Sequence, residues 1–174
     1  LEAIRKLENY GFLNDETYSK ALLETKKRTL KKGPRAIRQE IKKKGIDKSL
    51  QDEVLESFTY EEQLAIAMQL AEKEVRAGNR KTPTQVKQKI QDVLMRKGYS
   101  FSIVSDVLER IQLERKEDEW EDMIAAQGEK IWRKFAAKFS GTERNMKVKQ
   151  ALYQKGFPIE VINCFIEKKE HEEV

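Results

Sequence analysis

The residue types that carry most enzyme chemistry are scarce in this sequence of 174 residues. It has one cysteine, Cys164, and one histidine, His171, which lies in a charged C-terminal segment. A disulfide framework within the chain and a multi-cysteine zinc site are therefore excluded. Because chain ends usually fray, His171 is a poor candidate for a general base. We predict no catalytic residue, no metal site and no cofactor, and hence a protein that is not an enzyme.

Positive charge is concentrated in residues 26–44, here called the basic run. Its nineteen residues include ten lysines and arginines and a single carboxylate, Glu40. Such a concentration attracts polyanions. The candidate residues for binding a partner or DNA are Lys26, Lys27, Arg28, Lys31, Lys32, Arg35, Arg38, Lys42 and Lys43. Lys44 is better explained as a cation at a helix end, where it interacts favourably with the helix dipole.

An internal repeat determines how these residues are arranged. A pattern of apolar residues around a lysine and a glycine occurs three times with identical spacing. The copies are Ile37, Ile41, Lys44, Gly45, Ile46, Leu50, Val54, Leu55; Ile90, Leu94, Lys97, Gly98, Tyr99, Ile103, Val107, Leu108; and Val148, Leu152, Lys155, Gly156, Phe157, Val161, Phe165, Ile166. Apolar residues four apart line one helix face, and a glycine after the last turn adopts the left-handed conformation. We predict structural turns between helices at Gly45, Gly98 and Gly156.

A longer helical segment precedes each copy, so the repeating element is a unit of three helices. These first helices cover roughly residues 15–31, 60–77 and 117–139, and the small numbers of glycine (8) and proline (3) favour a helix-rich chain. The predicted fold is all-α, an elongated tandem array of three-helix repeats. Repeats 1, 2 and 3 are assigned to residues 13–58, 59–113 and 114–174. Residues 1–12 are assigned to the end of a preceding truncated unit, in which Gly11 has the offset of Gly45.

Residues at the helix starts and on the helix faces add local predictions. The expected caps are Asp47, Ser100, and the pairs Thr59 with Glu62 and Thr82 with Gln85. Asn14 is predicted to be an N-cap and Tyr18 a core residue. Trp120 and Trp132 lie at helix-spaced apolar positions and are predicted to pack in the core. No apolar run approaches the ~18 residues that a membrane span requires, so no membrane association is predicted.

The repeat provides an internal comparison for the basic run. On a helix, Arg35, Arg38 and Lys42 fall within one sector, opposite Ile37 and Ile41. The matching positions are Gln88, Gln91 and Met95 in repeat 2 and Met146, Lys149 and Tyr153 in repeat 3. The fold therefore does not require these cations. Two interpretations stay open: a solvated face, or a surface that binds a polyanion or an acidic partner.

The chain also resembles a known family over nearly its whole length. The residues that carry the likeness are Tyr10, Gly11, Phe12, Leu13, Asn14, Asp15, Glu16, Tyr18, Arg28, Gly33, Ile37, Lys44, Gly45 and Ile46, followed by Arg96, Lys97, Gly98 and Tyr99. Their order and spacing are similar to the signature of the RecX family of recombinase regulators. The resemblance implies a bacterial cytoplasmic protein that binds the RecA filament on single-stranded DNA. It further implies inhibition of recombinase activity in DNA repair and the SOS response.

An alternative function is non-specific DNA binding through the basic face of repeat 1. Sequence-specific reading by a helix-turn-helix is disfavoured, because the second helix of that motif enters the major groove. Residues 47–57 carry four carboxylates and one lysine, and phosphates would repel such a helix. The sequence leaves open which surface contacts the recombinase, whether contact with single-stranded DNA is direct, and the oligomeric state.

Overall fold

The computed structural model describes residues 2–173, with all of their side chains except those of residues 4, 7–10, 12 and 13. These residues form nine α-helices and no strand. The helices are α1 (Glu2–Arg28), α2 (Pro34–Lys43), α3 (Lys48–Glu56), α4 (Tyr60–Ala77), α5 (Pro83–Lys97), α6 (Phe101–Arg110), α7 (Glu117–Ala136), α8 (Gly141–Gln154) and α9 (Ile159–Glu172). The predicted all-α class is confirmed.

The helices follow one another in sets of three, as the sequence pattern predicts. In each set a glycine separates the second helix from the third, and the φ angles of Gly45, Gly98 and Gly156 are 73°, 95° and 91°. A side chain at these left-handed positions would be strained, which explains the glycines. The tandem array of three-helix repeats is confirmed, while the residue boundaries assigned to the repeats stay predictions.

The helix starts use the capping residues that the sequence indicates, except that the Glu62 carboxylate, predicted to complete a capping box with Thr59, binds Lys27 instead. Asp47, Ser100 and Thr59 each accept a hydrogen bond from a backbone N–H two or three residues later. Thr82 and Gln85 form a complete capping box, in which Gln85 N donates to Thr82 Oγ1 at 3.2 Å and Thr82 N donates to Gln85 Oε1 at 3.0 Å. Both contacts satisfy N–H groups that have no partner within the helix.

Two predictions for the first helix are wrong. Asn14 lies inside α1, so it is not an N-cap, and Tyr18 is exposed and not in the core. The helix also continues through Gly11, because a glycine within a helix costs only about 1 kcal/mol relative to alanine, too little to end a long helix. The assignment of residues 1–12 to a preceding unit stays a prediction, and the side chains of Leu7 and Phe12 lie outside the described residues.

The chain divides into two compact units. One consists of residues up to Lys73 together with Ile90–Ile111, and the other of Glu74–Lys89 together with residues from Gln112. In the first unit, α1, α2 and α3 enclose one apolar cluster. Its buried members are Leu23, Ile37, Ile41, Ile46, Leu50, Val54, Leu55 and Phe58.

In the other unit, α7, α8 and α9 enclose an aromatic-rich core. The rings of Trp132 and Phe165 pack edge to face with centroids 6.3 Å apart, and Trp120 packs similarly on Phe157 at 5.9 Å. The guanidinium of the buried Arg144 lies 4.0 Å from the centre of the Trp132 ring. Core positions for both tryptophans are therefore confirmed.

Candidate nucleic-acid interface

The basic run covers the last turn of α1, the loop that follows, and α2. Helix α2 forms because Pro34 suits a first helical turn and because Ile37 and Ile41 are fully buried. Each of these two side chains contributes ~1.5–3 kcal/mol by leaving water. Their burial directs the opposite face of α2, with Arg35 and Lys42, toward solvent.

Glu40 partly neutralises the basic run. Its carboxylate is 3.1 Å from Lys26 Nζ and accepts a hydrogen bond from Lys32 Nζ. The hydrogen bond from Lys32 lowers the pKa of Glu40, partial burial opposes the shift, and the Lys26 ammonium adds to the lowering. Glu40 is therefore ionised at neutral pH, and it forms ion pairs with two of the candidate cations.

Lys27 is a structural cation and does not belong to the accessible surface, contrary to its inclusion among the candidates. It is 7% exposed, its Nζ lies 2.8 Å from Glu24 and 3.2 Å from Glu62, and its ammonium lies above the Phe58 ring. Burial disfavours the charge, but the hydrogen bonds to Glu24 and Glu62 outweigh it and raise the pKa of Lys27. Such a buried, paired charge is not available to a phosphate.

Three further candidate cations have partners at the surface. The contacts join Arg28 to Glu24 at 3.0 Å, Arg38 to Asp52 at 2.6 Å and Lys31 to Gln69 at 2.7 Å. Exposed ion pairs stabilise a protein by only about 0.2–1 kcal/mol. Arg28 and Arg38 can therefore exchange a carboxylate for a phosphate with a small loss of stability.

The remaining candidates, Arg35, Lys42 and Lys43, are exposed and have no side-chain partner among the residues that the structure describes. Lys44 shares this property at the C-cap of α2. We call these four residues the free cations. They lie on the solvent face and C-terminal end of α2, so the structure concentrates the available charge on one short helix.

The N-terminus of α2 is held by the glycine turn that follows α5. Gly33 N donates to Lys97 O at 2.8 Å and Arg35 N donates to Gly98 O at 3.1 Å. Unpaired N–H groups at the start of α2 therefore meet unpaired carbonyls at the end of α5, an arrangement that also aligns the two helix dipoles favourably. There is no room for a side chain, because a Cβ on Gly33 would lie 2.5 Å from the Gly98 carbonyl carbon. We call this contact the Gly98 joint.

Two side chains next to the Gly98 joint hold the loop that precedes α2. The Tyr99 hydroxyl donates to Lys31 O at 2.8 Å, and Lys97 Nζ donates to Leu30 O at 2.9 Å. Lys31 has a φ of 52°, which is strained for a residue with a side chain, and these bonds maintain it. Burial raises the pKa of the Tyr99 phenol, so the hydroxyl stays a donor at physiological pH.

The other unit has a corresponding contact, in which Thr82 Oγ1 donates to Lys155 O. A Cβ on Gly156 would lie 2.4 Å from Thr84 Oγ1, whereas a Cβ on Gly45 would meet no atom within 4 Å. Sequence reasoning assigned the three glycines to turns alone and missed that two of them are packing joints. The available signal was weak: Gly33, without a capping side chain, directly precedes a helix-starting proline.

Replacing Glu40 with glutamine is expected to raise the affinity for single-stranded DNA. Lys26 and Lys32 lose their shared carboxylate and become available to phosphate, and two added contacts would steepen the salt dependence by about 1.4 log units per log unit of salt. The same increase is expected as the pH falls through the lowered pKa of Glu40, because the ion pairs exist only above it. Fluorescence anisotropy at several salt concentrations measures both effects.

The matched control for this substitution is Glu56→Gln. Glu56 is exposed, has no partner among the described side chains, and loses the same charge on α3. Its replacement should leave the salt dependence unchanged. An unchanged salt dependence for Glu40→Gln as well would show that Lys26 and Lys32 do not reach phosphate.

Within residues 2–173 no group of three or more histidine, cysteine, aspartate or glutamate side chains is arranged to hold a metal ion. Cys164 is exposed. None of the described helices combines the length and apolar character needed to cross a membrane.

These features define a tandem three-helix-repeat protein with a basic helix face. Two family models match it: RecX, second three-helix domain, over residues 14–55, and RecX, third three-helix domain, over residues 61–108 and 117–166. The chain therefore belongs to the RecX family, and the resemblance seen in the sequence is confirmed.

Individual relatives agree with this assignment. Regulatory protein RecX of Bacillus subtilis (strain 168) is 34% identical over 171 residues, which are 98% of this chain and 64% of the relative. That of Enterococcus faecalis is 34% identical over 172 residues, 99% of this chain and 64% of the relative. The crystal structure of RecX from Lactobacillus salivarius has 30% identity and a TM-score of 0.57, covering 63% of this chain and 73% of that one. The chain spans 64% of the length of these two curated relatives.

Proposed function

We propose that this chain is a cytoplasmic regulatory protein that binds the RecA filament on single-stranded DNA and inhibits recombinase activity in DNA repair and the SOS response. The observation that carries the proposal is the solvent face of α2, where Arg35, Lys42 and Lys43 are exposed without a described partner. A nucleoprotein filament contains regularly spaced phosphates, and each lysine or arginine that neutralises one releases a counterion. Membership of a family whose curated members are named regulatory protein RecX supports the same function.

Charge disfavours a helix-turn-helix mode of reading DNA. Helix α3 carries Asp52 and Glu53, and on α6 Asp106 accepts a hydrogen bond from the Tyr60 hydroxyl at 2.5 Å. A helix that carries carboxylates is repelled by the phosphates on both sides of the major groove. The proposed binding is therefore to phosphates or to an acidic surface of the filament, without reading of base sequence.

Inhibition is expected to be stoichiometric, because the proposed action is occupancy of binding sites and involves no turnover. Titrating the protein against the DNA-stimulated ATPase activity of RecA should give a loss of activity proportional to the fraction of filament sites filled. Activity should return when the protein is removed at high salt. Complete loss at trace amounts that persists after removal would contradict the proposal and indicate a covalent or proteolytic mechanism.

The second candidate function is non-specific DNA binding through the basic face of repeat 1, and the same free cations favour it. The two functions are separated by a pull-down from bacterial lysate with and without added single-stranded DNA. Filament binding predicts a RecA band that depends on the DNA. Equal affinity for bare DNA and for the filament, with no effect on the ATPase, would leave only the second candidate.

A further inference from the structure

An exposed aromatic side chain follows the Gly98 joint in the chain. Phe101, the first residue of α6, is 67% exposed. Every other phenylalanine whose side chain the structure describes is buried or half-buried. Met95, in the last turn of α5, is exposed as well. Exposed apolar side chains that lie together mark surfaces for binding.

Cations lie near Phe101 along the chain and across the Gly98 joint. The carbonyl of Gly98 accepts the Arg35 N–H, so the turn that leads into α6 lies against the start of the α2 face that carries the free cations. Arg96 is also exposed and, like Arg35, has no side-chain partner within residues 2–173. Residues 93–105 contain two cations and no carboxylate. Phe101, Arg35 and Arg96 therefore lie within three residues of the backbone contacts that form the Gly98 joint, and all three side chains are exposed.

The repeat shows that the fold does not require an aromatic residue here. The position of Phe101, three residues after the turn glycine, is Lys48 in repeat 1 and Ile159 in repeat 3. Ile159 lines a surface depression together with Tyr153, whose position matches Met95. Met95 and Phe101 occupy the positions that correspond to Tyr153 and Ile159, and both are exposed on either side of the Gly98 turn.

We propose that Phe101 stacks on a base of single-stranded nucleic acid whose phosphates bind Arg35 and Arg96. An aromatic ring beside cations is the combination that binds single strands without sequence preference, because every base has a π-face. In a duplex the bases are already stacked on one another, so Phe101 would confer a preference for single strands over duplexes. The inference rests on the proposed function, and it specifies which strand form the basic surface accepts.

The test compares oligothymidine with an abasic deoxyribose-phosphate oligomer of equal length by fluorescence anisotropy. The unaltered protein should bind oligothymidine about tenfold more tightly, which corresponds to ~1.4 kcal/mol. Phe101→Ala should bind the two oligomers equally, with its affinity for the abasic oligomer unchanged. Phe101→Trp should retain the preference. Met146→Ala is the matched control, since Met146 is also 67% exposed and its loss should leave the preference intact.

Other results would overturn the inference in distinguishable ways. If the unaltered protein bound the two oligomers equally, and Arg35→Glu weakened binding to both, base stacking would be contradicted. The phosphate contact of the proposed function would still be supported. If neither oligomer bound while the ATPase of RecA was still inhibited, direct contact with DNA would be excluded and regulation retained. If Phe101→Ala weakened binding to the RecA filament but not to bare oligothymidine, the ring would contact protein. A fully retained preference in Phe101→Ala would show that the ring does not stack.

Discussion

Reversing Arg35, Lys42 and Lys43 to glutamate is expected to reduce the affinity for single-stranded DNA roughly a hundredfold at ~0.1 M salt. Each cation that neutralises a phosphate contributes about 0.7 to the slope of log affinity against log salt, so losing three contacts removes a slope of about 2. All three side chains are exposed without a described partner, whereas Lys26, Lys27 and Lys32 are already paired. These three free cations are therefore the residues of the basic run whose replacement should affect DNA binding most directly.

The triple reversal should leave the fold intact. Surface substitutions usually change the free energy of unfolding by less than about 0.5 kcal/mol each. Glutamate at position 35 lies in the first turn of α2 and interacts favourably with the helix dipole, while glutamates at 42 and 43 lie in its last turn and interact unfavourably. Helix content by circular dichroism and the melting temperature should therefore change little.

The control for this experiment is the triple variant Lys87→Glu, Lys149→Glu and Lys168→Glu. These lysines are exposed, have no side-chain partner in the described part of the chain, and lose the same charge outside the basic run. Binding should weaken only through the change in net charge. An unchanged salt slope with weaker filament binding in the Arg35, Lys42 and Lys43 variant would place those cations on an acidic protein surface. Unchanged binding to both DNA and filament would mean that these cations only form a solvated face of the protein.

The second prediction is that Gly98→Ala destabilises the protein far more than Gly45→Ala, although both glycines have positive φ. Left-handed backbone costs a residue with a side chain about 1–2 kcal/mol. At Gly98 the new Cβ would in addition lie 2.5 Å from the Ala36 backbone nitrogen, and overpacking against backbone adds ~1–3 kcal/mol. We expect a total above about 3 kcal/mol for Gly98→Ala and ~1 kcal/mol for Gly45→Ala.

Urea denaturation followed by circular dichroism measures this difference. Because Gly45 occupies the matching position in repeat 1 and a Cβ there meets nothing within 4 Å, it controls for backbone strain alone. Equal losses at the two positions would mean that the Gly98 joint adds nothing to stability. A larger loss at Gly98 would also be expected to weaken DNA binding, since the joint holds the N-terminus of the helix that carries the free cations.

Features that depend on neighbours a few residues away followed from the sequence. The i, i+4 spacing of Ile37 and Ile41 determined which face of α2 is buried. The capping box of Thr82 and Gln85 and the left-handed turn glycines were also predictable, because each is a local hydrogen bond or a local dihedral constraint. Gly11 shows the limit of such local signals, because glycine permits a turn but does not impose one, and α1 continues through it.

The tertiary structure decided which cations of the basic run are available to bind a phosphate. In the sequence, Lys27 and Arg35 are both cations of the basic run. In the structure, α4 places Glu62 beside Lys27, while no described carboxylate pairs with Arg35. Coulomb attraction depends on distances set by helix packing between residues far apart in the chain. The role of Gly98 has the same origin, since its contact with Gly33 and Arg35 joins segments more than sixty residues apart. The sequence by itself determined the helices, the turns and the basic run, because these features depend on residues close together in the chain. Only the packing of the helices decided which cations stay free and which turns become joints, because both depend on contacts between distant segments.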